Sequence, residues 1–310
     1  MALLTPAQTA QMLPLAYQGD MRAIGRLLSG LTAGEIGANA GQSLTSGIFV
    51  QSTGDDDWPG TRFDRPKKTI ASASAAASAL VAAGAPACII DVVDASNYTE
   101  DVSLTAGVRL HGPAATVSGE VELTTFTEVE LATIQGTGDN QTLLSMTTGD
   151  NGYAIARVGM INAAGLVGCN NVRNVGGANR TLHVHAGIVN VGEDGIGIGD
   201  VTPGVGHLHI TLGDLYLIGD NAVGILGSAS EGDGANIVGW IDHIISIVGT
   251  GTVGIKMDAA EARVKLGAAE ILADINVSAG ELYMNCLRVV GTETHTGGTI
   301  VRPTLSTTTI

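Results

Sequence analysis

The sequence predicts an all-β chain wound as a parallel β-helix. Three observations carry this: a recurring unit, three apolar runs within each unit, and a composition suited to a narrow stacked core. Between residues 182 and 290, the runs Leu182-His183-Val184-His185, Leu208-His209-Ile210, Ile237-Val238-Gly239-Trp240 and Val264-Lys265-Leu266 start successive units, spaced 26, 29 and 27 residues apart. A second run ending in a Gly/Asp turn and a third short run follow in each unit. These are Ile188 to Val191 then Gly195 to Ile198, Leu215 to Ile218 then Gly224 to Leu226, and Ile244 to Val248 then Gly254-Ile255. Ile271 to Ile275 then Glu281 to Tyr283 reads as a weaker copy. Three short strands joined by tight turns make one coil, and because no coil buries its apolar side chains alone, neighbours must stack.

Other repeat architectures fit less well. Helical repeats need amphipathic helices of about ten residues or more, and glycine interrupts nearly every run here. A propeller blade needs about 40 residues, longer than this unit.

The composition narrows the function classes. Glycine supplies 44 of 310 residues, aromatics 3% and charged residues 15%, so Val, Ile, Leu and Ala must fill the core. Fifteen basic against thirty acidic residues give a net charge of −15, which excludes the electrostatic footprint of a nucleic-acid binder. Cys88, Cys169 and Cys286 are odd in number, far apart and set in apolar runs, as small core residues rather than a disulfide framework or zinc site. No run reaches the 18 apolar residues or so of a membrane span, and the N-terminus lacks a basic, apolar leader, which implies synthesis in the cytoplasm without secretion.

Four segments follow in order. Residues 1–46 carry two short helical patterns, one opened by Thr5-Pro6 and one from Asp20 with Ile24, Leu27 and Leu28 on a single face. They hold too few apolar residues to fold alone, and are expected to attach to a partner. Residues 47–84 contain a strand, an acidic turn and an Ala-rich helix whose positions Ile70, Ala73, Ala77, Leu80 and Val81 share a face. A helix there covers the open end of the first coil. Residues 85–300 form the β-helix of roughly 8 coils, about 38 Å at the ~4.8 Å strand spacing. In it Glu120 to Ile134 reads as one alternating run, and Asn151 to Gly187 as an irregular excursion. Residues 301–310 are a Thr-rich tail.

The segment from Phe49 to Ala73 carries a family resemblance. Gly54, Asp56, Pro59, Gly60 and Thr61, then Pro66, Lys68, Thr69 and Ile70, resemble the lead-in of pectate-lyase-like right-handed β-helix proteins, which pair a G-x-D-x-x-P-G-T turn with P-x-K-T-I and a capping helix. Within that superfamily the chain most resembles phage tailspikes and related trimeric virion spikes. The resemblance implies a right-handed, single-stranded solenoid assembled as a homotrimer. It says little about activity, because the superfamily holds lyases, hydrolases and non-enzymatic spikes.

Two constellations are candidates for chemistry. Asp194 and Asp220 both lie twelve residues after their unit origins, which stacking would place roughly 5 Å apart, near the separation of a retaining glycosidase pair. Asp is equally what a tight turn between strands selects. His183, His185, His207 and His209 alternate along two adjacent strands, a pattern for a transition-metal site or for a metal-free histidine ladder. The acidic run Asp55 to Asp57 reads as a solvated turn rather than a calcium site. No motif implies a cofactor. The sequence therefore points to a non-enzymatic virion spike or decoration protein, bound to other virion proteins through residues 1–46. The alternative is a tail-associated adhesin that binds or hydrolyses a host surface glycan.

Overall fold

A computed structural model describes residues 46–148, 152–175, 180–199, 206–228 and 236–302. The chain is an all-β parallel β-helix. One sheet of twelve strands runs from Ser46–Val50 through Cys88–Val92, Val108–Ser118, Thr127–Gln135, Gly152–Asn162, Arg180–Val191, Gly206–Leu217, Asn236–Ser246, Arg263–Leu272 and Glu281–Val289 to Thr299–Val301, with Asn97–Thr99 beside Val108–Ser118. A second sheet of nine short strands runs from Val102–Leu104 to Glu293–His295. Strand pairing within both sheets is parallel.

The unit origins form one buried column. Leu182 pairs in register with Ala154 and Leu208, Leu208 with Ile237, Ile237 with Val264, and Val264 with Leu282. In the short sheet, Ile198 pairs with Ile225 and Ile225 with Ile255, all fully buried. Cys88 and Cys169 are buried in this core and Cys286 packs at its edge; none is bridged.

The first two runs of each unit are not separate strands. In Arg180–Val191 the buried side chains are at 180, 182, 184 and 186, then at 189 and 191, so the inward face changes phase at Gly187. Gly159 and Gly213 hold the same place in the neighbouring coils. Each long strand thus bends around a corner as two arms, and the short strand supplies the third. Glycine permits this bend without a turn: a Cβ at Gly159 would lie 2.6 Å from the Ala132 carbonyl oxygen, and one at Gly187 2.7 Å from that of Gly159.

Helix α1 (Ile70–Ala82) covers the first coils, burying Ile70, Ala73 and Ala77. Its N-terminus is held three ways. The Thr69 hydroxyl accepts from the Ser72 amide at 3.2 Å, Asp56 accepts from the Lys68 and Thr69 amides at 3.0 and 2.9 Å, and Glu100 from the first coil accepts from the Ile70 and Ala71 amides at 2.9 and 2.8 Å. These amides have no partner within a helix, so the acidic turn and the first coil are tied together through the helix start.

Three local expectations change. Glu120 to Ile134 is two strands, Val121–Thr124 in the short sheet and Thr127–Gln135 in the long one, divided at Phe126, whose φ is 61°. Residues 152–162, 170–174 and 180–191 are regular strands of the coils rather than an excursion; in the first of them Ala154 and Ala156 take the core positions of the opening arm, too small to stand out in a hydrophobic pattern. Glu281 to Tyr283 opens the next coil, paired with Arg263 to Lys265, while Asp274–Val277 is the third arm of the coil before it. Apart from Ser46, residues 1–46 lie outside the described residues, as do residues 303–310.

Candidate functional site

Alternation along the first arm sends two columns of side chains outward, and the parallel register aligns them along the solenoid. The first column runs Arg109, Glu128, Ile155, His183, His209, Val238, Lys265, Tyr283; the second runs Asp91, His111, Glu130, Arg157, His185, Thr211, Trp240, Gly267, Asn285. The early coils carry paired charges. Arg157 bonds Glu128, Arg109 lies 3.9 Å from Glu128, and His111 sits between Asp91 at 3.1 Å and Glu130 at 3.4 Å.

Aromatic rings stand on the same face. Phe126 and Tyr153 meet edge to face at 5.7 Å, Tyr153 and His183 at 6.3 Å, and His183 and His209 at 4.8 Å. The Lys265 ammonium sits 5.3 Å from the Tyr283 ring centre. Trp240 is 42% exposed and its indole N–H donates to Asp242 at 2.7 Å. Four of the ten aromatic residues, Phe126, Tyr153, Trp240 and Tyr283, thus lie on one face.

Beside this face lies an open groove of about 500 Å³. It exists because the corner column reads Ala132, Gly159, Gly187 and Gly213, so the bend carries almost no side chains. Glu130, Arg157, His185 and Trp240 form one wall and Asp242 closes one end. Donors, acceptors and an aromatic plane are what a polar, ring-shaped ligand would require.

Asp194 and Asp220 belong to a turn, and they do not face each other. The register is offset by 26 residues at Val191 and Leu217 but by 27 at Ile196 and Val223, so one extra residue in the turn brings Asp194 opposite Asn221. Asn221 donates its side-chain amide to Asp194 at 3.0 Å, while Asp220 accepts from the Thr250 amide at 2.6 Å. Asp194 has a φ of 50° and Asn221 of 53°; Asn140, Gly168 and Gly251 hold matching left-handed positions in other coils, at 58°, 68° and 71°. Both carboxylates are engaged as turn caps.

The histidines do share a face. His183 pairs in register with His209, whereas His207 pairs with Thr181 and His185 with Thr211. His185 opens onto the groove. Burial, then the neighbouring His209 and His185, hold the His183 ring below the usual histidine value. Among the described residues no three His, Cys, Asp or Glu side chains are arranged to hold a metal ion.

Sequence reasoning missed Trp240, Arg157, Glu130 and Tyr153 as parts of one face. Extending the column back from Leu182 to Ala154 would have found Tyr153 and Arg157. Comparison with family models, with curated proteins and with solved structures finds no match.

Proposed function

We propose that the protein is a non-enzymatic structural component of a virion, a β-helix spike or decoration protein that associates with copies of itself and docks through residues 1–46. The observation that carries this reading is the apolar surface exposed on the last described coils of the solenoid. The strands Glu293–His295 and Thr299–Val301 are largely exposed. Val238, Trp240, Ile247, Val248, Leu287, Val290 and Val301 are exposed apolar side chains of the final coils, Leu287 at 85%. Apolar surface of this extent marks an interaction site. The virion assignment rests on the resemblance of the Phe49 to Ala73 segment to trimeric virion spikes. Removing residues 1–46 is expected to leave a folded, soluble protein that no longer enters particles. Normal incorporation of the truncated chain would contradict it.

The groove favours a second reading, an adhesin for a host glycan, with Trp240 as stacking platform and Glu130, Arg157 and Asp242 as hydrogen-bonding groups. Calorimetry with host surface polysaccharide, compared between the native chain and Trp240→Ala, tests it. Hydrolysis through Asp194 and Asp220 has less in its favour, since both carboxylates are engaged in turns. Reducing-sugar release lost in Asp194→Asn with Asp220→Asn would restore it.

A further inference from the structure

We infer that the outer face of the later coils, centred on Trp240, is the surface through which copies of this chain bind one another. The inference rests on the self-association proposed above and names the surface responsible. The chain carries a net charge of −15, so two copies repel at most orientations. From His183 and His185 to Tyr283 and Asn285, neither outward column contains a carboxylate. The one formal charge in that stretch of the two columns is Lys265, opposite in sign to the chain as a whole. Two carboxylates border the columns, Asp242 accepting from the Trp240 indole and Glu281 from the Tyr283 hydroxyl, and Lys265 and Arg263 match them in number, so the face sets no net negative charge against a copy of this acidic chain.

The face is also shaped for contact. Gly267 leaves a gap in its column, and the Trp240 ring fills the space that a Cβ at Gly267 would take. The indole thereby lies along the sheet rather than standing off it. With Val238, which is 40% exposed, and Tyr283 beneath Lys265, it makes a low apolar platform beside a shallow hollow lined by Trp240, Leu266, Tyr283 and Met284. Flat, half-exposed Trp and Tyr clusters of this kind supply most of the binding energy at protein interfaces.

Sedimentation of the full chain at micromolar concentration tests the inference. Val238→Glu with Trp240→Glu is expected to weaken self-association by at least about tenfold, with the circular dichroism spectrum retained because neither side chain lies in the buried core. Lys265→Glu, which removes no ring and disturbs no core residue, should weaken it too. Lys256→Glu, on the short sheet, should not. A multimer that both face variants leave intact would overturn this surface while leaving self-association standing. A monomeric native chain would overturn both, and polysaccharide binding lost in Trp240→Ala would then favour the glycan reading.

Discussion

The Trp240 indole occupies the place of the side chain that Gly267 lacks, one coil further along the same outward column. Gly267→Ala is therefore expected to displace the ring into water. With Trp58 replaced by Phe to leave one indole, emission should shift to the red and quenching by acrylamide should increase. An unchanged spectrum would mean that the ring does not rest on this backbone.

Ile225 and Ile255 pair in register and are both fully buried. Ile255→Ala removes three carbons from a stack that closes poorly around a gap, and should cost about 2 to 5 kcal/mol. Thermal melting reads this directly, and an unaltered midpoint would contradict the register.

Asp94 sets an acid limit on stability. Burial alone would raise its pKa, but hydrogen bonds from Tyr98 at 2.6 Å, from the Ser52 amide and hydroxyl at 2.9 and 2.7 Å, and from Ser96 at 2.9 Å outweigh this and hold the pKa at about 2. Because the folded value lies below the unfolded one, the contribution is present above about pH 4 and lost as pH falls toward 2. Water screens this part-exposed carboxylate, which reduces the contribution to about 1 kcal/mol. Denaturant midpoints should drop across that window in the native chain and drop less in Asp94→Asn, which starts less stable.

Asp194 is held at a φ of 50°, where a β-carbon without a local hydrogen bond is strained. Asp194→Asn or Asp194→Gly should be nearly neutral, and Asp194→Ala should cost about 1 kcal/mol. Equal stability of the Ala and Gly variants would argue against the turn role.

The strongly apolar part of the fold was legible and the weakly apolar part was not. Leu182, Leu208, Ile237 and Val264 are large enough to show the period, and the structure stacks them. Ala154 and Ala156 do the same work in an earlier coil with too little side chain to register as a repeat. Counting residues from Leu182 to Asp194 and from Leu208 to Asp220 paired the two aspartates, because a turn can lengthen by one residue while the strands on either side stay aligned. The aromatic face was hidden for a different reason. Phe126, Tyr153, Trp240 and Tyr283 are far apart in sequence and meet only when the coil length of each unit is known.

Sedimentation equilibrium of the full chain at micromolar concentration tests the central claim most directly, namely that the apolar face of the later coils is covered by other copies. The account predicts an assembly of three times the 31.3 kDa chain, and a stable monomer of 31.3 kDa with that face in water would contradict it.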